Sequence, residues 1–231
     1  RDKLVTGVQT CALPISLRFV TNTTRQSRAE LLRELAGRGI AIADNELFTP
    51  AVAAHGLLRA RAPRPLLLIH PGLAPDFAGL DIAAPNAVVV GDAGDHFCYA
   101  DLNRAFRLLH AGAPFLALGR NRYFQDRGGL SLDAGPFVAA LEYAAGVKAE
   151  LLGKPAPALF AAALDSTACP PAAAAMIGDD VEADVNGALA AGLRGILVRT
   201  GKYRSGDEAR LAPGGAVVDD IAAAVDLLGV G

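Results

Sequence analysis

Short apolar runs alternate with longer amphipathic segments along most of the chain. Runs of aliphatic residues stand at 17–20, 66–69, 87–90, 115–118, 149–152, 172–177, 195–198 and 216–218, each of strand length. Between the first two, Ser27-Arg28-Ala29-Glu30 reads as a capping box ahead of Leu31, Leu32 and Leu35, with Gly37 and Gly39 as stop signals. Thr49-Pro50 opens a second helix to about residue 60, with Thr49 as its cap. Phe97, Leu102, Phe106 and Leu109 recur at near-helical spacing, and Pro136 starts a helix that turns Phe137 and Leu141 inward. Further helices are expected at 157–164, after Asp180 as far as Gly192, and at 220–228. Strands alternating with helices predict an α/β fold with a parallel sheet and helices on both faces.

Two prolines, Pro63 and Pro65, cannot continue a helix and disfavour helical geometry just before them, so a boundary is placed there. Residues 63–146 then form a second α/β unit inserted into a first one made of 17–62 and 147–231. The opening residues 1–16 do not join sensibly to the strand that begins at Leu17. Residues 5–15 read like the translation of a sequencing-library adapter, so 1–16 is expected to be a foreign leader and is set aside.

With 231 residues, 52% of them hydrophobic, the chain can bury a large core. A net charge of −2 without any lysine or arginine cluster argues against a nucleic-acid partner. No apolar stretch approaches the roughly 20 residues that span a bilayer, so no membrane partner is expected. Cys11, Cys98 and Cys169 are too scattered for a disulfide framework and suit a reducing, cytoplasmic setting.

The chemistry concentrates at strand ends. The run 172–177 stops at Gly178-Asp179-Asp180, with Asp184 one helical turn further on. Carboxylates where a strand of an α/β sheet runs out face the crevice in which such folds bind ligands, and their hard oxygens suit Mg²⁺. Asp179 is the expected first metal ligand, with Asp180 and Asp184 as supporting acids; the plainer alternative makes Asp179 and Asp180 turn and cap residues. Thr21-Asn22 ends one strand and Lys154 another. A hydroxyl and a backbone N–H can hold a phosphoryl group, an ammonium can offset its charge, and a carboxylate can hold the metal against it. Thr21, Asn22 and Lys154 are thus the candidate phosphate-binding residues, with Lys154 also catalytic. His55, His70, His96 and His110 lack ligand spacing, Cys98 and Cys169 lack an activating neighbour, and 120–123 reads as a solvated loop.

On these motifs the sequence resembles the haloacid dehalogenase (HAD) superfamily of phosphatases. Its second, third and fourth motifs match Phe19-Val20-Thr21-Asn22, Lys154-Pro155, and Gly178-Asp179-Asp180 with Asp184. The inserted unit resembles the large α/β cap of the nitrophenylphosphatase-like branch. Stretches such as Leu102-Asn103-Arg104-Ala105-Phe106 and Val198-Arg199-Thr200-Gly201-Lys202-Tyr203 point within it toward phosphatases of phosphohistidine, phospholysine and pyrophosphate. The resemblance implies a Rossmann-like core, Mg²⁺, an aspartyl-phosphate intermediate, and a small phosphorylated substrate or phospho-amino acid. It further implies a loop after Val198 that closes the site wall, and it is compatible with a homodimer formed through the cap. The family's first motif, an aspartate nucleophile on the central strand, is not found upstream of Leu17, where Asp2 stands alone without the other residues of the motif. The chain as written is therefore expected to be truncated, inactive and poorly stable, because a covalent aspartyl-phosphate cannot form without its aspartate. A catalytically silent binding protein on the same fold is the alternative; a phospho-acceptor signalling domain uses similar residues but is far shorter and has no inserted cap.

Overall fold

The structure, a computed structural model, describes residues 15–61, 63–126 and 128–229. Of the expected leader only Ile15 and Ser16 fall within them. In chain order, β1 (Phe19–Val20) is followed by α1 (Arg28–Gly37), β2 (Leu47–Phe48), α2 (Pro50–Arg61), β3 (Pro65–Leu68) and β4 (Ala87–Val90). Next come α3 (Tyr99–His110), β5 (Phe115–Ala117), a hairpin of β6 (Tyr123–Asp126) and β7 (Gly129–Leu132), α4 (Ala134–Ala145) and β8 (Glu150–Leu151). The remainder is α5 (Pro157–Asp165), β9 (Ala175–Gly178), α6 (Gly187–Ala190), β10 (Arg194–Val198), β11 (Ala216–Val218) and α7 (Ile221–Leu228). The α/β class read from the sequence is the one observed, with parallel pairing in every sheet except the hairpin.

The largest sheet has the order β3-β4-β5-β8 and is covered on both faces. Because strand side chains alternate, Val88, Val90 and Ala117 meet Ala105 and Leu109 of α3 and Val138 and Leu141 of α4. Val89, Leu116 and Leu118 point the other way, onto Ala51, Ala54 and Leu58 of α2 together with Leu73 and Phe77. A second sheet, β11-β10-β9, buries Ile196 and Val198 against Ala224 of α7, and Leu197 against Val181 and Val185. Strands β1 and β2 form a separate pair, and among the described residues β1 bonds only to β2 and β9 only to β10.

Helix caps agree closely with the sequence. Ser27 and Glu30 close the capping box of α1, and the Thr49 hydroxyl accepts the Val52 N–H at 3.2 Å. Other features depart from expectation. Strand β8, expected in the first unit, pairs with β5 of the inserted one through Leu116↔Glu150 and Ala117↔Leu151. Helix α2, expected in the first unit, packs on the four-stranded sheet: only a few residues separate it from β3, and so short a connection folds a helix back onto the strand it precedes. Helix α4 begins two residues before Pro136, where the Asp133 carboxylate accepts the Ala134 N–H at 2.6 Å. The hairpin was not anticipated, although the Gly128-Gly129 pair in its turn is a recognised signal.

One buried acid ties this unit together. Glu142, 5% exposed, takes both terminal nitrogens of Arg120 at 3.1 and 2.7 Å and the Ala149 N–H at 2.9 Å, holding α4 to the loop after β5 and to the approach to β8. Arg120, read as part of a solvated loop, is thus a structural partner. Burial alone would raise the Glu142 carboxyl, but the Ala149 N–H and the Arg120 guanidinium outweigh it and hold the group below its ordinary value. An acid lowered in the fold contributes stability that is present above its unfolded pKa and is lost as pH falls through the folded one. Glu142→Gln is expected to cost about 1–3 kcal/mol near neutrality. The difference from the parent should shrink as pH drops below about 4.3, the ordinary glutamate value. Urea melts of both proteins at pH 7 and below pH 4 check this; a gap that does not narrow in acid would remove the carboxylate from the explanation.

Candidate active site

The loop leaving β1 and the loop leaving β8 are clamped to each other by Asn22. Its side-chain oxygen accepts the Lys154 N–H at 2.7 Å, and its side-chain nitrogen donates to the Lys154 carbonyl at 2.9 Å. Both ends of the amide are therefore committed to positioning Lys154. The approach is tight enough that a Cβ on Gly153 would overlap the Leu118 carbonyl, and only glycine fits there. Thr21 extends the β1–β2 ladder by donating its N–H to Phe48 O at 3.1 Å, and its hydroxyl accepts the Thr23 N–H at 3.1 Å.

Held in this way, the Lys154 side chain is 11% exposed and runs between two strand ends. Its ammonium donates to the Val20 carbonyl at 3.0 Å and lies 2.5 Å from Asp184 Oδ1. The second contact is a close ion pair and not an aligned hydrogen bond, since Oδ1 is buried and makes no hydrogen bond among the described residues. Asp184 Oδ2 accepts the Asp180 N–H at 3.2 Å. The carboxylate lies directly over the end of β9, where a Cβ on Gly178 would overlap it. The helical turn Val181–Asn186 that carries Asp184 runs wider than an α-helix, a local departure that recurs at functional sites.

Asp179 and Asp180 point elsewhere. Asp179 Oδ2 accepts the Lys202 N–H at 2.8 Å, fastening β9 to the loop after β10. Asp180 caps the wide turn, accepting the Glu182 and Ala183 N–H groups at 3.2 and 3.0 Å, with Lys202 Nζ 3.8 Å away. Asp180 thus takes the cap role of the plainer reading, whereas Asp179 ties two distant loops together. Both acids line an open cavity of about 500 Å³ with Lys202, Tyr203, Arg204 and Arg210. On its rim the Arg204 N–H and the Arg210 guanidinium hold the Asp207 carboxyl below the usual carboxylate range. The structure therefore brings Thr21, Asn22, Lys154 and Asp184 together and sets Asp179 and Asp180 on the adjoining side, joined to them through the Asp180–Asp184 contact. The Val20 carbonyl and the Lys202 N–H were missed by sequence reasoning, because main-chain groups carry no residue-type signal.

The donor set can be tested against Mg²⁺. Among the described residues no group of three or more histidine, cysteine, aspartate or glutamate side chains is gathered as a cage. Asp179 and Asp184 remain as carboxylate donors, linked through the Asp180–Asp184 contact; Asp184 Oδ1 is buried, makes no hydrogen bond among the described residues and is ion-paired to Lys154. This suits Mg²⁺, which keeps several waters and takes one or two protein carboxylates.

Comparison with known proteins identifies the family. A profile of HAD-hydrolase-like proteins matches residues 151–224. The chain is 48% identical over 199 residues to the human haloacid dehalogenase-like hydrolase domain-containing protein 2, a match covering 86% of this chain and 77% of that protein. It is 44% identical over 217 residues to human phospholysine phosphohistidine inorganic pyrophosphate phosphatase, covering 93% and 80%. Its fold is similar to that of a glycerol phosphate phosphatase from Mycobacterium tuberculosis solved in complex with magnesium, with a TM-score of 0.78, 30% identity, and coverage of 89% and 66%.

The Lys154–Asp184 pair allows a direct test. Breaking one partner of a buried pair typically costs about 3–5 kcal/mol, because the other charge is left uncompensated. Lys154→Met should lower stability by that order, and Lys154→Met/Asp184→Asn should recover most of the loss. Denaturant melts of the parent, both single variants and the double variant measure the coupling; additive losses would show that the two charges do not depend on each other.

Proposed function

This chain belongs to the HAD-like hydrolase family and is a phosphatase by that membership; on this premise we propose a Mg²⁺-assisted phosphoryl site at the ends of β1, β8 and β9. The observation that carries the reading is the buried Lys154 ammonium, held between Asp184 and the carbonyl of Val20, the residue before Thr21. Thr21, through its hydroxyl, and Asn22, through its backbone N–H, take the phosphoryl oxygens. Lys154 offsets their charge, and the Asn22 side chain keeps Lys154 in place. Asp179 and Asp184 hold Mg²⁺, with Asp180 shaping the turn between them. When bound, the metal neutralises phosphoryl charge that these residues alone leave uncompensated.

The substrates proposed are phosphohistidine, phospholysine, pyrophosphate and small phosphate esters, supported by the names of the relatives at 44% and 30% identity. The cap is proposed to span the four-stranded sheet, so that the chain returns to the core between Leu151 and Lys154 and not at residue 147. An aspartyl-phosphate route needs a strand-end aspartate of the first motif, and the sequence as written shows none before Thr21. We therefore propose that residues 1–231 bind phosphate without turning esters over.

Calorimetric titration with orthophosphate, with and without Mg²⁺, tests the site. Binding should require Mg²⁺ and weaken about tenfold or more in Asp179→Asn, the order expected for one charge-assisted contact. Unchanged binding in that variant would remove Asp179 from the metal site. Release of 4-nitrophenol from 4-nitrophenyl phosphate should be absent; Mg²⁺-dependent release would overturn the proposed inactivity while leaving the site assignment standing.

A further inference from the structure

A second cavity, of about 440 Å³, opens at the carboxyl ends of β3 and β4 and is lined by Arg25, His70, His96, Phe97, Asp126 and Phe137 among others. Crevices at the carboxyl ends of parallel strands are where α/β sheets hold ligands. The cavity has an aromatic wall, since Phe97 and Phe137 stack with ring centroids 3.7 Å apart. One side is closed by the hairpin, whose Asp126 and Ser131 face inward beside Phe124. Arg25 stands four positions after Thr21, so even a fully extended chain puts their backbones within about 14 Å. That is the reach of a small phosphorylated molecule with its phosphoryl end at Thr21 and Lys154.

Arg25 is set up for recognition. Its Nε is bonded to the Asp92 carboxylate, and the face of its guanidinium rests 4.4 Å from the Phe124 ring centroid. Asp92 is itself fixed, 4% exposed and accepting the Gly94 N–H at 3.0 Å. Two sides of the guanidinium are thus used and its orientation is locked. The terminal nitrogens Nη1 and Nη2 make no hydrogen bond among the described residues, and Nη2 lies beside Gly94, another residue of the cavity wall. A fork with two unspent nitrogens matches the oxygens of a carboxylate or phosphoryl group. His70 adds to this: its Nδ1 accepts the Gly72 N–H at 3.1 Å, which leaves Nε2 as the N–H donor of the neutral ring. Asp95 and Asp126 also border the cavity, and Asp92, Asp126 and Asp133 all act on the Arg25 guanidinium, so a bound anion has to compete with these carboxylates.

We propose that this cavity receives the leaving group of the phosphorylated substrate, and that Arg25 selects leaving groups bearing a carboxylate or a second phosphoryl group. The assignment rests on Thr21 and Lys154 being the phosphoryl site. It gives the loop after β1 two duties, with Thr21 at one end and a specificity-determining Arg25 at the other.

Phenyl phosphate and 4-carboxyphenyl phosphate differ only in the group that Arg25 would read. Calorimetric titration of the full chain with each, in the presence of Mg²⁺, gives the preference without requiring turnover. The carboxylated ester should bind about tenfold tighter, the size of one charge-assisted contact. Arg25→Gln should abolish that preference. Arg25→Lys, which keeps a cation beside Asp92 but loses the fork, should retain the thermal melt of the parent and lose most of the preference. Equal binding of the two esters by the parent, or a preference that survives in both variants, would overturn the role of Arg25 alone. Failure of the underlying phosphoryl-site reading looks different: phenyl phosphate and orthophosphate would both fail to bind in a Mg²⁺-dependent way, and the present proposal would fall with it.

Discussion

The Lys154–Asp184 ion pair is the constraint on which the site depends. A buried ammonium is tolerable only with a close partner and hydrogen bonds for its remaining protons, and the Val20 carbonyl and the Asp184 carboxylate supply them. Much of the local backbone is explained by this need. Gly178 is bare so that Asp184 can lie over β9, and Gly153 is bare so that the loop carrying Lys154 can pass beneath the Leu118 carbonyl. The wide turn after Asp180 swings Asp184 back toward β8. Elements far apart in sequence thus converge on one small region of charge.

Around this pair the chain divides its labour between sheets. The four-stranded sheet is fully covered and carries most of the large buried side chains, which makes it a rigid platform. It contributes Lys154 directly, because β8 is its edge strand. The strands β1 and β9 contribute the remaining polar groups. The loop after β1 also reaches across to the platform, where Arg25 meets Asp92 and the Arg28 N–H meets the Asp76 carboxylate at 3.0 Å. Burial outweighs that hydrogen bond and raises the Asp76 carboxyl above its ordinary value.

Strand and helix order, capping residues and the polar residues at strand ends were legible in the sequence because each leaves a local mark. The capping box at Ser27 and the Thr49-Pro50 start are patterns of residue type, and both were found where expected. Which sheet a strand joins is not local. β8 carries the same short apolar signature whether it pairs with β5 or with β9, so its placement could not be read. The strand ends drew attention to Asp179, Asp180 and Lys154, yet the pattern could not say where each side chain turns. Asp179 reaches for the Lys202 N–H and Asn22 for the Lys154 backbone, and such main-chain partners are invisible in a string of side-chain identities. Arg120 lies in an exposed loop as expected, but its ion pair could not be read locally, since its partner Glu142 lies on a different element.

The Asn22 clamp has a consequence for how this region responds to its surroundings. It joins two loops that lie 132 residues apart using an uncharged amide at both ends. An amide does not titrate in the physiological range, and its short hydrogen bonds are not screened by dissolved ions as exposed charges are. The alignment of β1 with Lys154 is therefore independent of ionic strength, whereas the attraction between Lys154 and any anion beside it is not. Added salt then acts on the charges of this region without moving the scaffold that presents them, which separates electrostatic from geometric contributions within a single protein.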